Sequence, residues 1–147
     1  MIWSRKARKG KKVRPGGQSL IEFALVLPVL LTLMVFLIEF GVLFYTQLVV
    51  THAAWEGARA GATIVEPARG DEEITAAVIN SAWGLVPEKL VVDIDPTQDE
   101  YPRNQPWPKP RGEELSVVVG YELQLTLPDI TLPITGKAVT RMEYQNP

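Results

Sequence analysis

The sequence predicts an α+β chain: a long N-terminal transmembrane helix extends into a small head with a second helix and a three-stranded antiparallel sheet. Three observations predict it. Phe23 to Ile38 is an almost unbroken apolar run that Phe40 to Tyr45 complete to membrane length. Small and apolar residues then recur at helical spacing to about Thr63. Three later segments, rich in Val, Leu and Ile and bounded by Pro and Gly, have the pattern of strands. The 147 residues divide accordingly into a basic leader, 1–17, a transmembrane and extended helix, 18–63, and a head, 64–147.

The apolar helix follows from composition. Of the 16 residues from Phe23 to Ile38, 12 are Leu, Ile, Val or Phe. At about −0.3 to −0.6 kcal/mol each, they favour insertion by about 4–7 kcal/mol. Glu39 would oppose this by ~3 kcal/mol at the bilayer centre. It lies ~24 Å along the helix from Phe23, near the far edge of a ~30 Å hydrocarbon core, so insertion prevails. Its carboxylate either reaches the outer headgroups or meets a polar group of a partner helix. Pro28 removes one backbone hydrogen bond within the span and predicts a kink. Phe44 and Tyr45 suit the membrane interface.

Charge is distributed unevenly along the chain. Of 15 Lys and Arg, seven precede Gly16, leaving eight against all 17 Asp and Glu, a net charge of −9 beyond the tail. A basic tail beside a membrane-length helix is accounted for by the positive-inside rule, with the N-terminus cytoplasmic and the head extracytoplasmic. A nucleic-acid partner is not expected. With no cysteine, disulfides and thiolate chemistry are excluded.

A secretory signal peptide has its cleavage site after the apolar stretch. Here the break, Gly16-Gly17, lies before it. The pattern Ala60-Gly61-Ala62 lies too far beyond the span to serve. A cut between Gly17 and Gln18 would leave the apolar helix on the mature protein and make Glu22 its fifth residue. The new amine on Gln18 would then share a helix face with Glu22. An acid in the first turn also favours the helix dipole without any further role.

Beyond Tyr45, Ala53, Gly57 and Gly61 repeat small residues at i, i+4, flanked by Ala54, Ala58 and Ala62. Each glycine costs the helix about 0.8–1 kcal/mol relative to Ala, so close packing must compensate. The contact is either with the chain's own sheet or with a neighbouring subunit. Continuous helix from Gln18 to Thr63 would make a lever of ~69 Å. Glu56 and Arg59 are spaced for an ion pair, and His52 has no second His or Cys near it. Glu66-Pro67 stops the helix.

A second helix is expected from Asp71, whose carboxylate would cap it, to Gly84, with Ile74, Ala77, Val78 and Ala82 inward. Strands are expected at Lys89–Ile94, Glu113–Leu127 and Ile134–Tyr144, the last split at Gly136. In the second, Val117, Val119, Tyr121, Leu123, Leu125 and Leu127 share one face. Residues 95–112 hold five prolines and form an extended loop whose Tyr101 and Trp107 either anchor a partner or cover the sheet. Leu132-Pro133-Ile134-Thr135-Gly136 matches a sortase pattern, but the hydrophobic span such a signal needs does not follow it. Asp93, Asp95, Asp99 and Glu100 lack the glycine and glutamate spacing of a calcium loop. No Ser-His-Asp set, paired carboxylates or phosphate loop is detectable.

Gly16-Gly17 after a basic tail resembles the leader of type IV pilins and pseudopilins. With Gln18-Ser19-Leu20-Ile21-Glu22-Phe23, Glu39-Phe40-Gly41, Ala54-Trp55-Glu56-Gly57-Ala58-Arg59 and residues 136–144, the chain resembles the TadE-like family of tight-adherence (Tad, or Flp) pilus biogenesis. The resemblance implies a pseudopilin or minor pilin of the bacterial inner membrane, cut by a prepilin peptidase at Gly17|Gln18. Glu22 and Phe23, with Glu39, Gly57 and Gly61, would serve helix packing and assembly. The implied partners are the peptidase, other pilin or pseudopilin subunits, membrane platform proteins and the lipid bilayer. No catalytic residue, cofactor or metal is expected; catalysis would lie with the peptidase and an assembly ATPase. The alternative is an uncleaved single-pass protein whose extracytoplasmic head binds an envelope component.

Overall fold

The computed structural model describes residues 17–63, 70–106, 111–126 and 129–143. The basic leader up to Gly16, Glu66-Pro67, Trp107, Leu127 and Tyr144 lie outside them. Two compact units are distinguished, Met1–Leu37 and Ile38–Pro147. One helix, α1 (Gln18–Thr63), contributes to both.

In the first unit the apolar side chains of α1 are exposed, with Leu20, Leu25 and Leu37 typical. The helix is continuous through Pro28, whose carbonyl accepts from the Thr32 hydroxyl at 2.8 Å. Exposure of so apolar a surface is the signature of a segment made for lipid or for other helices. By length and composition α1 is able to cross a membrane.

The second unit is the head. It contains the C-terminal half of α1, a second helix α2 (Gly70–Ser81), a 3-10 turn (Pro87–Lys89), and strands β1 (Leu90–Asp95), β2 (Glu114–Gln124) and β3 (Thr131–Arg141). The strands form one antiparallel sheet in the order β1-β2-β3. The α+β class is as the sequence predicts. The inner face of β2 presents Leu115, Val117, Val119, Tyr121 and Leu123, all buried, to a core shared with Ile74 and Val78 of α2. From α1 the core receives Val50, Ala53, Ala54 and Ala58. The residues between Tyr45 and Thr63 are therefore not a free lever. They are the central helix of the head.

Element boundaries differ from expectation at several points. β1 begins at Leu90, because Lys89 closes the 3-10 turn, and it ends one residue later than expected, at Asp95. β2 is shorter than expected at both ends, and Leu125 is only half-buried. β3 starts three residues before Ile134, at Thr131, and Gly136 does not split it: Gly136 pairs with Val119 in mid-strand. The sortase-like Leu132–Gly136 is thus sheet, and Pro133 is tolerated because β3 is an edge strand. Asp71 does not cap α2. It lies in the first turn, where its charge suits the dipole, while its carboxylate accepts from the Gln98 amide at 3.1 Å and from the Arg103 guanidinium. Glu56 approaches His52 at 3.9 Å, and among the described residues it forms no ion pair with Arg59.

Candidate assembly and membrane site

At the start of α1, Gly17 is exposed, and among the described residues an added Cβ on it would meet nothing within 4 Å. One turn on, the Gln18 side-chain amide donates to Glu22 at 3.1 Å. Residues 18 and 22 thus share a face and are within bonding reach, as i, i+4 geometry requires. Phe23 follows, more than half exposed.

Glu39 has a partner within its own chain. Its carboxylate accepts from the backbone amide of Thr126, just past β2, at 3.1 Å. An ionised acceptor on a backbone N–H at the end of a strand satisfies a donor the ladder has left free. Neither sequence reading of Glu39 included this contact, which spans 87 positions. Replacing Glu39 by Ala is expected to cost the head about 1 kcal/mol in denaturant unfolding, with Glu39→Gln costing less because an acceptor remains. Equal stability of Glu39→Ala and wild type would contradict that role.

Gly57 and Gly61 are enclosed by the head. A Cβ on Gly57 would lie 2.5 Å from Val78 Cγ2 and 3.4 Å from Val117 Cγ1. One on Gly61 would collide with Leu115 and come within 2.8 Å of Ile74 Cδ1. The small-residue spine therefore faces α2 and β2, and it is closed to a neighbouring helix. The opposite side of α1 is open: Gly41, Leu48, His52, Trp55 and Arg59 fall on it at helical spacing, and Leu48 is 70% exposed.

Several residues that position these elements escaped sequence reasoning. Gly136 brings β3 against α1, where a Cβ would sit 2.8 Å from Val50 O, Thr51 N and Thr51 Cα. A glycine inside a strand pattern does signal close backbone approach. Gln47 ties the same region by donating to the Thr135 carbonyl at 2.9 Å. Arg103, only 5% exposed, joins Asp71 to the Pro96 carbonyl and fastens the proline-rich loop onto α2. Nothing local to Arg103 marks it. Tyr101 remains exposed. Among the described residues no three His, Asp or Glu gather in a metal-binding group.

The segment from the exposed glycine to the outer face of the head is the part with known counterparts. Residues 17–59 match the model of the TadE-like protein family. The match starts at Gly17, takes in the apolar run, Glu22 and Glu39, and ends at Arg59 in the core helix of the head. It agrees with the likeness carried by the motifs between Gly17 and Arg59; the likeness of residues 136–144 lies outside the match. The TadE-like segment points to the assembly of Tad pili, and its apolar helix fits a membrane anchor. No curated protein and no solved structure matches the chain.

Proposed function

We propose that this chain is a pseudopilin or minor pilin of a Tad-type pilus, anchored in the inner membrane by α1 with its N-terminus cytoplasmic. The observation that carries the reading is the TadE-like match over residues 17–59, coincident with an apolar helix whose side chains are exposed over the first unit. A prepilin peptidase cuts between Gly17 and Gln18, both exposed at the start of α1. The amine this creates on Gln18 is neutralised by Glu22, four residues along the same face. Burying either charge alone among packed helices would cost several kcal/mol, so pairing favours assembly. The chain catalyses nothing itself; the chemistry belongs to the peptidase and to an ATPase.

Assembly then uses the open side of α1. Gly57 and Gly61 are occupied within the head, whereas among the described residues an added Cβ on Gly41 would meet nothing within 4 Å, and Leu48 and Trp55 are more than half exposed. Gly41 costs the helix about 1 kcal/mol relative to Ala, and its own chain supplies no close contact that would require it. A neighbouring pilin or platform helix supplies that contact. Cells carrying Leu48→Arg in place of the wild-type chain are expected to lose most of their Tad pili, while the purified variant unfolds at the same denaturant concentration as wild type. Normal piliation in that strain would contradict the proposal.

A further inference from the structure

A series of contacts orders the head along α1. Gly61 meets Leu115, Gly57 meets Val117, the backbone at Val50 and Thr51 meets Gly136, and Glu39 bonds Thr126. Descending α1 from Gly61 to Glu39 thus descends β2 from its first residues to just past its end. The turn joining β2 to β3 is consequently at the level of Glu39, where the apolar run Phe23–Ile38 stops. Leu125 donates to the Ile130 carbonyl at 2.9 Å and closes that turn.

A second loop is fastened six residues higher, ~9 Å along the axis. There Tyr45 Oη donates to the Trp83 carbonyl at 3.0 Å, and Gly84 turns the chain with φ +76. A headgroup layer extends about 5–8 Å beyond each side of the hydrocarbon core. With Glu39 ~24 Å and Tyr45 ~33 Å along the helix from Phe23, the Thr126 end of β2 lies near the hydrocarbon edge and the Trp83 loop lies in the headgroup layer. What they present is mostly apolar: Trp83 is 76% exposed, Val86 and Ile130 are exposed to 47% and 46%, and the exposed Asp129 carboxylate accepts from the Gln124 side-chain amide at 3.1 Å. Residues 82–86 and 125–130 contain no Lys or Arg, so attraction to anionic lipid has no part in it. An exposed tryptophan at this height has the amphipathic character that favours the membrane–water interface.

We infer that this rim of the head, Trp83 and Val86 with Ile130, seats in the membrane–water interface, between the hydrocarbon edge and the headgroups, of the bilayer that α1 crosses. The ligand is a lipid surface of either charge, and the head is held against the membrane instead of clear of it. The inference rests on the reading of α1 as membrane-spanning.

The test uses the full chain reconstituted in phosphatidylcholine bilayers, with bromine placed either high on the acyl chains or near the bilayer centre. Three single-tryptophan proteins are compared: one retaining Trp83 (W3F, W55F, W107F), one retaining Trp55 (W3F, W83F, W107F), and F36W in a background lacking all four native tryptophans. Trp83 emission is expected to be largely lost with the shallow bromines and retained with the deep ones, while Trp55 emission is unchanged by both. Emission of the F36W protein is expected to be lost with the deep bromines. If it is and Trp83 is unquenched, the rim does not touch lipid and the inference is overturned. If F36W is not quenched, α1 does not span the membrane and both readings fall. Because the chain has no native cysteine, I130C and W55C give an independent reading through a nitroxide label. Protection of the first label from an aqueous relaxation agent, relative to the second, is expected; equal exposure would overturn the inference.

Discussion

Gly136→Ala is expected to destabilise the head by about 3 kcal/mol, the upper part of the range for overpacking a closed contact. The added methyl would sit 2.8 Å from three backbone atoms of α1, at Val50 and Thr51. Those atoms belong to the middle of a continuous helix, hydrogen-bonded on both sides, and cannot rotate away as a side chain can. Relief requires β3 to shift as a whole. That would disturb its register with β2 and the Gln47 bond to Thr135. Gly120 provides the control. It pairs with Thr135 in the same sheet, and its nearest neighbours, at Val91, lie 3.8 Å from an added Cβ. Gly120→Ala should change stability by no more than about 0.5 kcal/mol. Denaturant unfolding of the two variants in detergent measures the difference. Equal midpoints would show that β3 does not approach α1 as described.

The second large effect is functional. Gly17→Ala is expected to leave the chain uncut and the cells without Tad pili, because it puts a methyl at the exposed position where the peptidase is proposed to cut. Glu22→Ala is expected to be cut normally and still fail to assemble. Cleavage leaves an ammonium on Gln18, and with Glu22 gone that charge has no counterpart one turn away. Packing such a helix end against apolar neighbours costs several kcal/mol, enough to reduce incorporation by a factor of hundreds or more. Glu22→Gln separates charge from shape: it retains the hydrogen-bonding side chain and should fail as Glu22→Ala does. Immunoblots of membranes read cleavage, and electron microscopy of the cells reads piliation. Wild-type fibres from both Gly17→Ala and Glu22→Ala strains would remove the pilin-type mechanism.

Much of the architecture was legible because its signals are local. The apolar run, the small-residue repeat at i, i+4 and the alternation of β2 each fall within one element and need no partner to be recognised. What was not legible depends on residues far apart in the chain. Glu39 looks like an acid that reaches the outer headgroups or meets another helix until Thr126 arrives from 87 positions away. Gly136 looks like a strand break, since nothing in its neighbourhood says that a helix backbone lies against it. Asp71 has the composition of a cap, yet the loop containing Gln98 and Arg103 returns to occupy its oxygens. The spine showed the same ambiguity. Its spacing demanded close packing without naming the partner, and the structure places α2 and β2 there. That occupancy moves the expected assembly surface to the opposite side of α1.

The most direct measurement is the intact mass of the protein purified from the membranes of its native host. A polypeptide beginning at Gln18, lacking the basic leader and retaining the whole of α1, is the predicted result. A polypeptide still beginning at Met1 in cells that carry normal Tad pili would contradict it.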